Sequence, residues 1–122
     1  MKKIVKIKDK EYTMNASSFT QFKYKDATGR NLMNDLKTLT KIGEIMKKSE
    51  DGLDIIGELD DFNEIILRLS YIMIDEADSN QVQDFETFAK NIDGMFDDTD
   101  WLYQVIELAT SPISRGNKAN PQ

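Results

Sequence analysis

Along most of the chain, apolar residues recur every three or four positions in separate runs, and polar breaks divide the runs. That period lays apolar side chains along one stripe of an α-helix and scatters them over both faces of a strand, so it commits the chain to a largely helical domain. Leu32, Leu36, Leu39, Ile42 and Met46 form the first clear run, with Met33 and Ile45 beside them. Asn34, Lys37, Lys41, Lys47 and Lys48 occupy other positions, and the helix ends before Asp51-Gly52. Asp60-Asp61 then put carboxylates where unpaired N–H groups and the macrodipole of a helix start favour them. Phe62, Ile65, Ile66, Leu69, Ile72 and Met73 make one face of the helix that follows, while Leu67, Tyr71 and Ile74 carry apolar character around its sides. The spacing therefore predicts a central helix over 61–77 whose second apolar side is either buried or a contact surface for a partner.

Beyond Asp78-Ser79-Asn80, the run Phe85, Phe88, Ala89, Ile92 and Phe96 predicts a third amphipathic helix. After the cap-rich break at 97–100, Trp101, Leu102, Val105, Leu108 and Ala109 predict a last one, which Ser111-Pro112 ends. Ser114–Gln122 is polar and reads as a mobile tail. At the other end, Lys3–Ile7 and Glu11–Met14 read as two short strands joined by a tight charged turn at Lys8-Asp9-Lys10. Such a hairpin is marginal alone and must lean on a helix or add to a neighbouring subunit's strands. Asn15, Ser17 and Ser18 are N-cap residue types, and Phe19 and Phe22 lie three apart, which predicts a helix over 16–28 with Gly29 in the left-handed position that follows. Leu53–Leu59 fits a helical turn or a strand. The expected fold is mainly α with a short N-terminal β-hairpin and four to five helices: one domain over 1–113, with the hairpin at 1–14 and helices within 16–110.

The chain has neither Cys nor His. That removes disulfides, thiol nucleophiles, Cys/His zinc sites and acyl-transfer constellations built on imidazole. Its six glycines are scattered, with no phosphate-binding loop and no dinucleotide fingerprint. The clusters Asp60/Asp61/Glu64, Asp75/Glu76/Asp78 and Asp97/Asp98/Asp100 lack the alternating ligands, central glycine and terminal glutamate of a calcium loop, so they read as caps and solvated faces. No enzyme, metal or cofactor is expected. Neither a secretory signal nor an apolar run long enough to span a bilayer is present, which leaves a cytoplasmic protein as the expectation.

Net charge is −6, unevenly distributed. Residues 1–48 carry 12 Lys or Arg against 5 Asp or Glu, +7, and residues 49–122 carry 4 against 17, −13. Either the halves pack on each other or these are simply solvated faces, or else the basic end of one copy meets the acidic end of the next. Nucleic acid is not an expected partner, because the acidic half would repel a phosphate backbone. Six methionines suit irregular core gaps, and also surfaces that accept varied helical segments.

The order of these features resembles the tail assembly chaperones of siphophages and related prophages of low-GC Gram-positive bacteria. The likeness is carried by the hairpin at 4–12, by Tyr24–Leu32 leading into a helix, by the apolar helix around Ile65–Met73, by Asp84–Phe88 and by the Trp101–Ala109 helix before a short tail. Its motifs are mostly hydrophobic pattern. It implies a protein that coats the long helical tape measure protein in the host cytoplasm until tail tube subunits polymerise around it, and that is absent from the finished virion. It further implies a homo-oligomer, the tail tube protein as a second partner, and a frameshift-extended form of the chain joined at the polar tail. The resemblance carries over no catalytic or ligand residue. Contact residues follow from the pattern: Leu67, Tyr71 and Ile74 for client or subunit packing, with Lys3, Lys6 and Lys8 facing acidic neighbours. The competing expectation is an acidic phage-encoded inhibitor that mimics DNA, which requires Asp and Glu on one continuous face.

Overall fold

The computed structural model describes residues 1–48, 59–92 and 99–119, with side chains described at 1–45, 61–92 and 99–113. Strands β1 (Lys2–Ile7) and β2 (Lys10–Asn15) pair antiparallel, with Ile7 opposite Lys10 and Val5 opposite Tyr12. The turn is therefore two residues, Lys8-Asp9, one shorter than expected, and Lys8 takes φ 60 to close it. Five helices follow among the described residues: α1 (Thr20–Thr28), α2 (Leu32–Lys48), α3 (Leu59–Ala77), α4 (Phe85–Lys90) and α5 (Asp100–Ala119). The fold is mainly α with a short N-terminal hairpin, as the periodicity requires.

Helix α3 is the centre. Phe62, Ile65, Ile66, Leu69, Ile72 and Met73 are buried on its first face, and each such side chain contributes roughly 1.5–3 kcal/mol when removed from water. Helices α1, α2 and α5 and strand β2 pack around it, and α4 covers it near Tyr71. Ser70, a polar side chain fully buried in α3, donates to the Ile66 carbonyl at 2.7 Å and so leaves no orphaned hydroxyl. Val5, Ile7, Tyr12 and Met14 bring the inner face of the hairpin into the same core, and Trp101, Leu102, Val105 and Leu108 bring α5.

Three expectations need correction. The segment 16–28 is helical only from Thr20, because Asn15 and Ser17 do not act as caps. Their side chains, and that of Thr20, donate instead to the Glu76 carboxylate of α3, at 2.9, 2.7 and 2.8 Å. Those bonds turn Thr20 and Tyr24 inward, and Phe19 and Phe22 are left 62% and 61% exposed. Gly29 does take the left-handed position, at φ 73. The third amphipathic run yields only α4, capped by Asp84, which accepts from the Thr87 N–H at 2.8 Å; Ile92 lies past its end, and Phe96 is outside the described residues, as are 53–58.

Pro112 does not stop α5, which runs on to Ala119, so 114–119 is helix where a mobile tail was expected. A proline inside a helix has no N–H for the carbonyl four residues back. Here that carbonyl, of Leu108, accepts the Ser111 hydroxyl at 2.7 Å, which replaces the lost donor.

The outer edge of β2 is held by a single amide. Gln81 accepts from the Thr13 N–H at 2.8 Å and donates to the Thr13 carbonyl at 2.8 Å and to the Ile74 carbonyl at 3.1 Å. A net hydrogen bond contributes about 0.5–1.5 kcal/mol, so Gln81→Ala is expected to lower unfolding free energy by ~1–3 kcal/mol in urea titrations and to speed exchange of the Thr13 amide.

Candidate protein-binding surface

Two surface regions combine apolar floor with charged rim. The first lies between α2 and the late turns of α5. Leu32, Leu36, Leu39 and Ile42 turn one side of α2 into the core, which leaves Met33 at the margin, 40% exposed. Tyr103 of α5 packs beside Gly43, its hydroxyl donating to the Gly43 carbonyl at 3.4 Å. Because α5 continues past Pro112, Ile113 is carried alongside α2 and closes a cleft of about 360 Å³ with Met33, Leu36 and Thr110. Lys37, Lys41 and Glu44 form its rim. Ile113 and Pro112 also border a second cleft of about 250 Å³ that opens toward Ser18, Gln21 and Leu32. The two make a trough along the end of α5, of the kind that takes an amphipathic helix lying apolar side down.

The second region lies between α1, α3 and α4. Tyr71 stands there, its ring edge-on to Phe85 at 5.8 Å and close to Phe88 at 6.2 Å. Arg68 stacks over Phe85 at 4.1 Å, and Lys23 pairs with Asp75 at 3.3 Å across a cleft of about 290 Å³. This cleft is bordered by charges of both signs, of which Lys23 and Asp75 pair with each other.

The α1–α2 corner that positions the trough is fixed by a buried carboxylate. Asp35 accepts the Tyr24 hydroxyl at 2.5 Å and a two-pronged contact from Arg30 at 2.8 and 2.9 Å. Burial pushes the Asp35 carboxyl up, but the bonds from Arg30 and Tyr24 outweigh it and hold the group below the ordinary carboxylate value. Burial, and then the adjacent Asp35, raise the Tyr24 phenol.

The contact residues expected from the sequence separate. Ile74 is 1% exposed and belongs to the core, so it offers no surface; the hairpin and the rest of the core cover the side of α3 on which it lies. Leu67 and Tyr71 are half-buried against that core. Lys3 reaches Glu107 of the same chain at 3.9 Å, Lys6 is exposed, and Lys8 sits in the hairpin turn. From the sequence Met33 reads as a neighbour of the α2 stripe and one of the methionines suited to core gaps or adaptable surfaces. Reading Pro112 as a stop leaves Ile113 out of the sequence-based surface; the local signal for continuation is the hydroxyl of Ser111 just before the proline.

The two oppositely charged halves meet inside one molecule, at Lys3–Glu107, at Lys23–Asp75 and around Glu76. Among the described residues, two of these engaged carboxylates, Asp75 and Glu76, lie at the end of α3 and the third, Glu107, in α5, and no group of three or more acidic side chains is placed to hold a metal. No described helix is long and apolar enough to cross a membrane. Set against known families, curated proteins and solved structures, the chain matches none of them.

Asp35 makes a pH prediction. A carboxyl with a depressed folded pKa contributes stability that is present above its unfolded value, near 3.9, and lost as pH falls through the folded one. Asp35→Asn is expected to cost ~1–3 kcal/mol at pH 7, because bonds to a buried charged group are lost. The gap to the parent protein should shrink below about pH 4 in urea titrations. A gap that stays constant from pH 7 to the acid limit would contradict the assignment.

Proposed function

We propose that the protein is a tail assembly chaperone of a long-tailed phage or prophage of Gram-positive bacteria. On this reading it holds the tape measure protein soluble in the host cytoplasm while the tail tube forms around that client, and it is left out of the virion. It works without catalysis and as a homo-oligomer, with the tail tube protein and a frameshift-extended form of itself as further partners.

The observation that carries this reading is the trough between α2 and α5. Its floor is Met33, Leu36 and Ile113, and flexible thioether and aliphatic side chains accept helices of differing sequence. Its Lys37 and Lys41 rim favours a client helix with carboxylates beside its apolar stripe. The DNA-mimic alternative draws less support, because Asp35, Asp75, Glu76 and Glu107 are engaged by donors of the same chain.

The test is co-expression with the large protein encoded immediately downstream, followed by size-exclusion chromatography with light scattering. The client is expected to become soluble and to co-elute with several copies of this chain. Met33→Asp combined with Ile113→Asp places charge on the trough floor and should weaken that association at least about tenfold while leaving the helical spectrum intact. A downstream protein that stays insoluble and unbound, or the lack of any long helical protein encoded nearby, sinks the reading.

A further inference from the structure

Hydrogen-bond alternation in the hairpin decides which backbone groups of β1 are already used. Met1 and Ala16 exchange bonds with each other at 2.6 and 2.9 Å. Counting on through the register, Lys3, Val5 and Ile7 are the residues of β1 whose N–H and C=O turn toward β2. Lys2, Ile4 and Lys6 turn theirs away. The same alternation sends the groups of Thr13 outward from β2, where Gln81 binds both of them, so the assignment agrees from either strand. No described residue does for β1 what Gln81 does for β2. Ile4 is 60% exposed, and Lys2, Lys3 and Lys6 are exposed around it. Among the described residues, the sheet has one closed edge and one open edge.

The side chains along the open edge select what can add to it. Lys2, Ile4 and Lys6 share the outer face of the strand. A second copy added antiparallel with fullest overlap puts Ile4 against Ile4 and Lys2 against Lys6 at both ends. Like charges directly opposite destabilise such a pair, and edge lysines oppose self-pairing for that reason. A strand with carboxylates at those two places is attracted instead. Glu11 lies across the hairpin from Lys6 without forming an ion pair, whereas Lys3 is engaged with Glu107.

We propose that β1 is a docking edge for an extended acidic segment of another protein, one with Asp or Glu two residues to either side of an apolar residue. It adds antiparallel to Lys2–Lys6. Its backbone bonds the outward groups of Lys2, Ile4 and Lys6, its apolar residue packs on Ile4, and its carboxylates meet the ammonium groups of Lys2 and Lys6. This surface lies apart from the trough and does not rest on the chaperone reading.

The experiment titrates the full chain with the synthetic peptide Ser-Glu-Thr-Val-Thr-Glu-Ser, and with the same peptide carrying Lys in place of both Glu, while NMR follows backbone amides and their hydrogen exchange. The Glu peptide is expected to slow exchange of the Ile4 and Lys6 amides by about tenfold or more. Its binding should weaken as salt rises, and the Lys peptide should leave both amides unchanged. Ile4→Pro removes one outward N–H and should abolish binding with the Thr13 amide still protected. Should that variant unfold, Lys2→Glu with Lys6→Glu takes its place and is expected to reverse the preference between the two peptides. The proposal is overturned if neither peptide binds, if both protect equally, or if the Glu peptide binds without protecting Ile4 and Lys6. It is equally overturned if those amides are protected without peptide in a concentration-dependent dimer, which would make a second copy the occupant.

Discussion

Helix α3 has more apolar surface than one packing partner can cover, and the rest of the fold follows from that. A helix apolar on a single stripe needs one neighbour, whereas α3 buries Phe62, Ile66 and Leu69 together with Ile74 on another side. It is accordingly packed by α1, α2, α5 and β2, with α4 against Tyr71 and β1 held by its pairing to β2 and by contact with α5. The hairpin gains what it lacks alone, an apolar floor under Val5, Tyr12 and Met14. Protein interiors are close-packed, so this arrangement also settles what remains outside: Met33, Phe19, Phe22 and Ile4.

Charge acts on this frame locally. Asp75 and Glu76 lie in the last turn of α3, which carries no basic residue of its own, and carboxylates are disfavoured there because the helix dipole presents its negative end. The basic N-terminal half relieves this. Lys23 pairs with Asp75, and Glu76 gathers the Asn15, Ser17 and Thr20 side chains. The same contacts tie the end of β2 and the start of α1 to the core, so electrostatic relief and chain routing are one feature. Ion pairs as exposed as Lys3–Glu107 add little to stability, but they consume charge that would otherwise attract another copy.

The two surfaces proposed for partners differ in kind. The trough depends on how α2 and α5 pack, and on a helix that survives its proline because Ser111 satisfies the Leu108 carbonyl. The β1 edge depends on backbone alternation and on which edge Gln81 occupies. Side-chain shape governs recognition in the first, and main-chain hydrogen bonding with charge complementarity governs it in the second.

Periodicity by itself determined the helical class, the hairpin, the position of α2 and the buried face of α3, because apolar side chains at a fixed spacing leave the backbone few ways to bury them. It also placed Gly29, since a left-handed residue between two helices favours the side chain that is missing. What it could not determine was the fate of groups whose partner lies far along the chain. Asn15 and Ser17 look like caps until Glu76, about sixty residues away, claims them. Ile74 looks like a surface residue until the other elements cover α3, and Pro112 looks like a stop until Ser111 supplies a donor. The trough and the open edge belong to that second group. Each is made of residues whose exposure is set by neighbours remote in sequence, and only the tertiary packing decides which apolar side chains are left without one.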